Sequence, residues 1–395
     1  MSDDTHVVFS KQFYQPFGQI IDVVGSRRTS AIVELWTPWI RYNLENLLDL
    51  PTFSPSRVPT EINHLTLNPA DDLDPPSKAD RFQIVTKAII YQIILALEYL
   101  HGLDLPIGHR DIKPRNVLLT ASGCVKLIDF GIAFHERLNS RTTNLWPETT
   151  ENMYNDVSTG PFRAPELLFG PRTYDACATD LWSLGCTIAH FFTPIRLLRK
   201  SYYDEDEDDL NASDEDAFPD ASGFVLPKDL GSITFRTAEW MRLPLFDGRQ
   251  GSIGLVWSIF KLRGTPNSEI WPNFDALPDA NKVEFKVVPS VDLLPYMPNL
   301  PFGTGSTGSA HAPPTIIIPS PLDLIHRLLV YPPETRIKAS DALMHPWFLS
   351  AHDVPLILPT DHPQARKDAS PGNTWETTWH GKEMEHWLSM EFRRR

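Results

Sequence analysis

The sequence has few cysteines, no signal peptide and no long uninterrupted apolar run. Cys124, Cys177 and Cys186 are its only cysteines in 395 residues, too few and too scattered for a disulfide framework. The chain begins with the acidic residues MSDD rather than with an apolar signal. Its most apolar long segment, residues 85–100, is interrupted by polar residues and is too short for a bilayer. We therefore expect reduced thiols, no membrane association, and a location in the cytoplasm or the nucleus or both.

Positive charge is absent from one segment. Residues 201–221 contain ten acidic residues and no Lys or Arg, whereas the formal net charge of the whole chain is −14. Removing these ten charges leaves −4, so bulk charge argues against a nucleic-acid partner. A solvated insertion is favoured for this segment over a protein-binding patch.

Apolar periodicity predicts a mixed fold. Apolar residues cover most sides of residues 81–101, which predicts a buried central helix. Two β-type runs, 20–24 and 31–35, predict a hairpin with its turn at 25–29. Further predicted elements are a short helix at 42–48, short strands at 116–120 and 124–128, and two helical segments within 319–348.

Three short motifs contain the groups that phosphoryl transfer requires. Residues 109–119 read HRDIKPRNVLL, residues 129–131 read DFG, and residues 164–166 read APE. Phosphoryl transfer needs a carboxylate to accept a hydroxyl proton, a cation on the phosphate, and oxygen ligands for Mg²⁺. In this order and at these distances, the motifs make the chain resemble a eukaryotic-type protein kinase of the cyclin-dependent and MAP kinase group.

The resemblance implies an α+β fold of the protein-kinase type. A mainly helical C-terminal lobe would follow a truncated, antiparallel β N-terminal lobe. We also expect the tail tryptophans Trp375, Trp379 and Trp387 to pack on the domain. The implied boundaries are 1–36 for a remnant of the N-terminal lobe, 37–348 for the C-terminal lobe with insertions at about 51–80 and 201–222 and a linker at about 302–315, and 349–395 for the tail.

The resemblance also assigns catalytic roles. Asp111 would accept the proton of the attacking hydroxyl, and Lys113 would contact the γ-phosphate. Thr159 would bridge these two side chains. Asn116 and Asp129 match the two residues that hold Mg²⁺ in related kinases, so ATP and Mg²⁺ are the implied cofactors.

The adenine site is expected between the two lobes. Val33, Glu34 and Trp36 resemble the gatekeeper and hinge, where backbone groups of Glu34 and Trp36 would bind adenine. Leu118 would form the floor of this pocket. Because the backbone does the recognition, the side chains at these positions carry little information.

The activation segment carries the implied regulatory residues. In the related group, the equivalent of Arg163 favours proline after the phosphorylated Ser or Thr of the substrate. Tyr154 aligns with the threonine that is phosphorylated in cyclin-dependent kinases. We expect Glu151 and Asp156 to neutralise part of the charge of Arg110, which would permit activation without phosphorylation.

Other matches are structural. Glu166 and Arg336 resemble a buried ion pair that ties the activation segment to the lower lobe. Asp180 resembles the aspartate that binds the backbone of the catalytic loop. His109 and Phe130 would stack in the hydrophobic interior.

Two expected features of a kinase are missing from the start of the sequence. No G-x-G-x-x-G occurs there, and Lys11 is the only lysine before Lys78. Residues 303–308 do fit G-x-G-x-x-G, but prolines rather than a strand and a helix flank them. We therefore interpret them as a flexible linker. The sequence therefore leaves two functions open, an ATP- and Mg²⁺-dependent Ser/Thr protein kinase, or a truncated pseudokinase that acts as a binding or scaffold module. It also leaves open whether a cyclin-like subunit is needed.

Overall fold

The computed structural model describes residues 25–28, 33–36, 38–65, 76–135, 148–200, 223–301, 319–349, 354–367 and 375–392. The strand predicted at 20–24, the acidic segment at 201–222 and the linker at 302–315 lie outside these residues. The boundaries predicted for the lobes and the tail stay predictions.

Helices make up most of the described secondary structure. They are α1 (Leu44–Leu48), α2 (Lys78–His101), α3 (Ala176–Phe192), α4 (Gly251–Arg263), α5 (Pro321–Leu328), α6 (Ala339–Leu343), α7 (Pro346–Leu349), α8 (Pro363–Lys367) and α9 (Met384–Phe392). The strands are β1 (Gly25–Arg28), β2 (Val33–Trp36), β3 (Tyr42–Asn43), β4 (Val117–Leu119), β5 (Val125–Leu127), β6 (Ile195–Arg199), β7 (Phe224–Val225), β8 (Ala238–Arg242), β9 (Leu356–Ile357), β10 (Trp375–Glu376), β11 (Thr378–Trp379) and β12 (Lys382–Glu383). The central helix, the two short strands after it and the helical segments after 319 are confirmed.

The long helix α2 is the centre of the main core. Ser77 caps its N-terminus by accepting a hydrogen bond from the Asp80 amide at 3.2 Å, and Gly102 follows its last residue. By length and composition α2 could cross a membrane, so the prediction that this segment is too short was wrong. However, 83% of the 18-residue apolar stretch within α2 is buried inside the protein, as expected of a core helix.

A three-stranded sheet lies beside the catalytic motif. Strands β3, β4 and β5 pair antiparallel in that order, with Leu118 opposite Lys126. Strand β4 directly follows a 3₁₀ turn at Pro114–Asn116, and α1 contacts that turn. The sheet therefore fixes the end of the catalytic loop.

The hairpin at the start of the described chain is shifted from its predicted position. Gly25 pairs with Trp36 and Arg28 with Val33, so residues 25–28 form a strand antiparallel to β2. The predicted turn at 25–29 was therefore wrong. Low strand propensity of Gly, Ser and Arg suggested a turn, but strand pairing depends more on context than on the propensity of single residues.

A second sheet is attached to the core through one buried arginine. Strand β6 lies between β7 and β8, and Arg242 at the end of β8 is 1% exposed. Its guanidinium donates to the carbonyls of Leu48, Phe53, Phe191 and Thr193. Burial lowers the pKa of Arg242 to about 9. Phe53, from the segment predicted as an insertion at 51–80, is thus part of the core.

The tail packs against the main core, as predicted. Trp387 on α9 is 4% exposed, and its ring centroid lies 5.0 Å from that of Trp379. Met384 and Leu388 of the same helix are buried in the main core, and α9 contacts α2. The sequence did not predict α9, because this nine-residue helix has little apolar periodicity.

A buried ion pair joins the activation segment to the lower part of the domain. The two Nη atoms of Arg336 each donate to one carboxylate oxygen of Glu166, both at 2.7 Å. Arg336 also donates to the carbonyls of Ala178, Val330 and Tyr331. The predicted pair is therefore present, and its charges and donors are satisfied internally.

We expect Glu166→Gln to lower the free energy of unfolding by about 3–5 kcal/mol, because it leaves the buried Arg336 charge without its anion. The control is Glu45→Gln, which makes the same chemical change in the exposed pair with Arg115. That variant should change stability by about 1 kcal/mol or less. Urea unfolding of both variants measures the difference, and equal midpoints would contradict the assignment.

Buried His190 should make the fold sensitive to acid. Burial lowers its pKa from 6.5 to about 4, and its Nε2 contacts the Arg242 carbonyl at 2.9 Å. Between these pH values the unfolded chain binds more protons than the folded one, so stability falls as the pH drops from about 6.5 to about 4. The full effect is about 3 kcal/mol.

His190→Gln keeps a donor for the Arg242 carbonyl and removes this titration. The variant should lose less stability than the wild type between pH 7 and pH 5, as measured by urea unfolding at each pH. His386→Gln, at an exposed histidine, is the control and should follow the wild type. An unchanged pH dependence in His190→Gln would refute the prediction.

Candidate active site

Three polar side chains donate hydrogen bonds to the Asp111 carboxylate. Its Oδ1 accepts from the Thr159 hydroxyl at 2.7 Å, and its Oδ2 accepts from Lys113 Nζ at 2.7 Å and Asn116 Nδ2 at 2.9 Å. Lys113 Nζ also donates to Thr159 Oγ1 at 2.7 Å. The structure thus brings together the side chains that the sequence grouped as catalytic, although their roles stay predictions. Asp111 is 6% exposed, so the carboxylate is held by protein donors more than by water.

Asp180 on α3 fixes the backbone that presents these side chains. Its two carboxylate oxygens accept the amides of His109 and Arg110, each at 2.7 Å. His101 at the end of α2 lies 3.0 Å from the same carboxylate. The predicted anchoring of the catalytic loop by Asp180 is therefore present, and Asp180 is fully buried.

His109 packs inside the loop as a neutral ring. Its Nδ1 accepts the Asp111 amide at 3.2 Å, and its Nε2 lies 3.0 Å from the Ile128 carbonyl. Burial lowers the pKa of His109 below its usual value, which fits these two partners. The His109 and Phe130 ring centroids are 4.6 Å apart with an interplanar angle of 55°, so the two rings are in contact, but tilted rather than stacked as predicted.

The two predicted metal ligands differ in their surroundings. Asn116 is buried, and its side-chain amide nitrogen donates to the carbonyl and the carboxylate of Asp111. Its amide oxygen is therefore the atom that could bind a metal ion. Asp129 is exposed and has a φ of 67°, in the left-handed region. A carboxylate and an amide oxygen suit Mg²⁺, which takes few protein ligands and completes its shell with water and phosphate oxygens. The residues present therefore fit the implied ion.

The predicted adenine residues are only partly described. Leu118 is half-buried on β4, beside the catalytic loop. Val33, Glu34 and Trp36 lie on β2, for which the structure describes the backbone. Their place around a nucleotide stays a prediction.

The activation segment differs from the prediction at Arg110. Arg110 Nη1 and Nη2 donate to the two carboxylate oxygens of Glu148 at 2.8 and 2.6 Å. Glu151 is exposed, and Asp156 pairs instead with Arg163 at 3.2 Å, so the prediction that they neutralise Arg110 was wrong.

The reason lies in the local chain path. The Asn152 amide donates to the Thr149 carbonyl, which forms a turn with Glu151 at its tip and Glu148 before it. Sequence reasoning missed Glu148 because both glutamates precede Tyr154 closely, and no spacing rule indicates which one faces inward. Tyr154 itself is 46% exposed.

Arg163 is bound to the part of the activation segment that precedes it. Its Nη2 donates to the Asn155 carbonyl at 2.5 Å, and the adjacent Phe162 carbonyl accepts the Ser183 hydroxyl of α3 at 2.7 Å. Arg163 is therefore bound within the segment rather than extended into solvent. Its predicted influence on the substrate stays a prediction.

Comparison with known proteins agrees with this geometry. The model of the protein kinase domain family matches residues 77–348, more than half of the chain. The chain belongs to the protein kinase family. Its motifs and its α+β structure agree with that fold, as the sequence predicted.

Individual relatives place this kinase in the cyclin-dependent group. Human cyclin-dependent kinase 20 is 30% identical over 281 residues, which cover 70% of this chain and 59% of that protein. Cyclin-dependent kinase D-1 of Arabidopsis thaliana is 29% identical over 285 residues, 72% of this chain and 51% of that protein. Serine/threonine-protein kinase ppk23 of Schizosaccharomyces pombe is 26% identical over 387 residues, 95% of this chain and 74% of that protein. The chain thus spans less than two thirds of the human and plant relatives.

Proposed function

We propose that this protein transfers the γ-phosphoryl group of ATP to a serine or threonine hydroxyl of a protein substrate. The observation that carries the proposal is the set of three donors that hold the Asp111 carboxylate beside the Lys113 ammonium. An ionised carboxylate in this arrangement can accept the hydroxyl proton, and the adjacent cation can offset charge on the transferred group. A scaffold has no chemical need for this combination.

In this proposal Asn116 and Asp129 hold Mg²⁺. The bound ion would neutralise charge on the phosphate oxygens. The chain's own contribution is to fix the Asn116 side chain through its hydrogen bond to Asp111, at 2.9 Å, and to leave the Asp129 carboxylate exposed. Val33, Glu34, Trp36 and Leu118 form the proposed adenine site.

The proposed substrate carries proline after the phosphorylated residue. This preference rests on Arg163, which binds the Asn155 carbonyl and the Asp156 carboxylate within the segment that would face the substrate. Because the relatives' names refer to cyclin dependence, a cyclin-like subunit is the proposed partner to add in the assay. The proposed location is the cytoplasm or the nucleus.

Calorimetry with Mg²⁺ and ATP on the purified chain tests the proposal. We expect binding in the micromolar range that depends on the metal, weakened at least about tenfold in Asp129→Asn, which loses a carboxylate ligand. Asp111→Asn should bind nucleotide like the wild type but lose phosphotransfer by a factor of about 10²–10⁴ on a Ser-Pro peptide. Asp104→Asn, at an exposed aspartate outside the site, is the control.

The assay is run with and without a cyclin-like subunit, and with a Ser-Ala peptide beside the Ser-Pro peptide. A folded wild-type chain that binds no Mg²⁺-ATP would contradict the proposal and would favour the scaffold alternative. Equal rates on the two peptides would contradict only the proposed preference for proline, which rests on Arg163, and not the proposed phosphotransfer.

A further inference from the structure

The contacts of Arg110 form a closed polar network between the catalytic loop and the activation segment. Its Nε donates to the Ile132 carbonyl at 2.6 Å, just after the DFG motif. Its two Nη atoms donate to Glu148 at 2.8 and 2.6 Å, and Nη1 also donates to the Tyr174 hydroxyl at 2.8 Å. One guanidinium therefore joins three parts of the site, and each of its nitrogens has an oxygen partner.

Glu148 extends this network to Tyr154. The Tyr154 amide donates to Glu148 Oε1 at 2.6 Å, and its carbonyl accepts the Tyr174 hydroxyl at 2.6 Å. Both main-chain polar groups of Tyr154 are thus fixed by residues that also bind Arg110. Its side chain contributes none of these hydrogen bonds and is 46% exposed.

The pair lies in the interior, where a charge needs a partner. The side chains of Arg110 and Glu148 are 2% and 1% exposed. Burial works against the charge of Arg110, but the hydrogen bonds to Glu148 and Tyr174 outweigh it, and the pKa of Arg110 is raised. Breaking one partner of such a pair leaves an uncompensated buried charge. The anion on Arg110 is therefore required for the observed arrangement.

Two ion pairs of the same kind hold the described part of the activation segment, one at Glu148 and one at Glu166. Glu148 binds Arg110, and eighteen residues later Glu166 binds Arg336, in each case through two hydrogen bonds. Thr159 lies between these two anchors and contacts Asp111. The position of the catalytic contact thus depends on both pairs.

We infer that Glu148 is a positioning residue, and that its carboxylate holds the activation segment in the observed conformation without a phosphoryl group. A phosphate placed on this segment would have to displace Glu148 to reach Arg110, because the Nη atoms of Arg110 already bind its two oxygens. The function of the ordered segment rests on the proposed phosphotransfer, whereas the ordering itself is a property of the fold.

Amide hydrogen exchange of phosphate-free protein tests the ordering directly and needs no activity. After phosphatase treatment, with mass spectrometry confirming that residues 148–166 carry no phosphate, the Tyr154 amide should exchange slowly. In Glu148→Gln, which keeps the shape and removes the charge, it should exchange at least about tenfold faster. Glu151→Gln, three residues along the same segment, is the matched control and should follow the wild type.

The wild-type result decides the inference even where a variant fails to fold. Fast exchange of the Tyr154 amide in phosphate-free wild type, or equal exchange in Glu148→Gln and Glu151→Gln, would overturn it. So would a phosphoryl group on residues 148–166 whose removal speeds this exchange.

Phosphotransfer adds a second readout. Phosphatase-treated wild type should keep its rate, and Glu148→Gln should lose about tenfold to hundredfold in kcat with the KM for Mg²⁺-ATP within about twofold. A loss confined to KM would contradict the positioning role. Absence of phosphotransfer from every variant would count against the proposed function, whereas the exchange result would still decide the inference about Glu148.

Discussion

The candidate active site depends on one buried carboxylate that holds a strained backbone. Asp180 accepts the amides of His109 and Arg110, and Arg110 has a φ of 64°, in a region that side-chain-bearing residues seldom adopt. Such a conformation persists only where surrounding contacts enforce it. Because Asp180 lies on the fully packed helix α3, the rigidity of the core is transmitted to the residue immediately before Asp111.

This turn of the backbone sends consecutive side chains in different directions. Arg110 reaches back to the Ile132 carbonyl and to Glu148, whereas Asp111 faces Lys113, Asn116 and Thr159. The first set of contacts orders the segments around the site, and the second set forms the site itself. Arg110, which makes the structural contacts, and Asp111, the proposed catalytic residue, are thus joined by a single peptide bond, so a change at either residue affects the other.

The sequence predicted the local part of the site well. The catalytic-loop side chains Asp111, Lys113 and Asn116 lie within six consecutive residues, so a motif read along the chain contains most of their geometry. The central helix could be predicted for a similar reason, since apolar periodicity reports burial on a rigid element. Long-range pairs that a recurrent family pattern fixes, such as Glu166 with Arg336, could also be predicted.

Long-range contacts that no sequence motif specifies could not be predicted. Glu148 lies 38 residues from Arg110, and the turn that directs it inward leaves Glu151 exposed only three residues later. Sequence spacing does not distinguish these two glutamates. The turn predicted at 25–29 was wrong for a related reason, because pairing with β2 rather than residue type decided that residues 25–28 form a strand.

Exchange of the His109 and Arg110 amides in the wild type and in Asp180→Asn tests most directly whether Asp180 holds the catalytic loop. If Asp180 holds the loop, both amides exchange only with global unfolding in the wild type. In the variant, which replaces one accepting oxygen by an amide donor, they should exchange much faster while the amides of α2 stay protected. Fast exchange of these two amides in the wild type would show that Asp180 does not hold the loop.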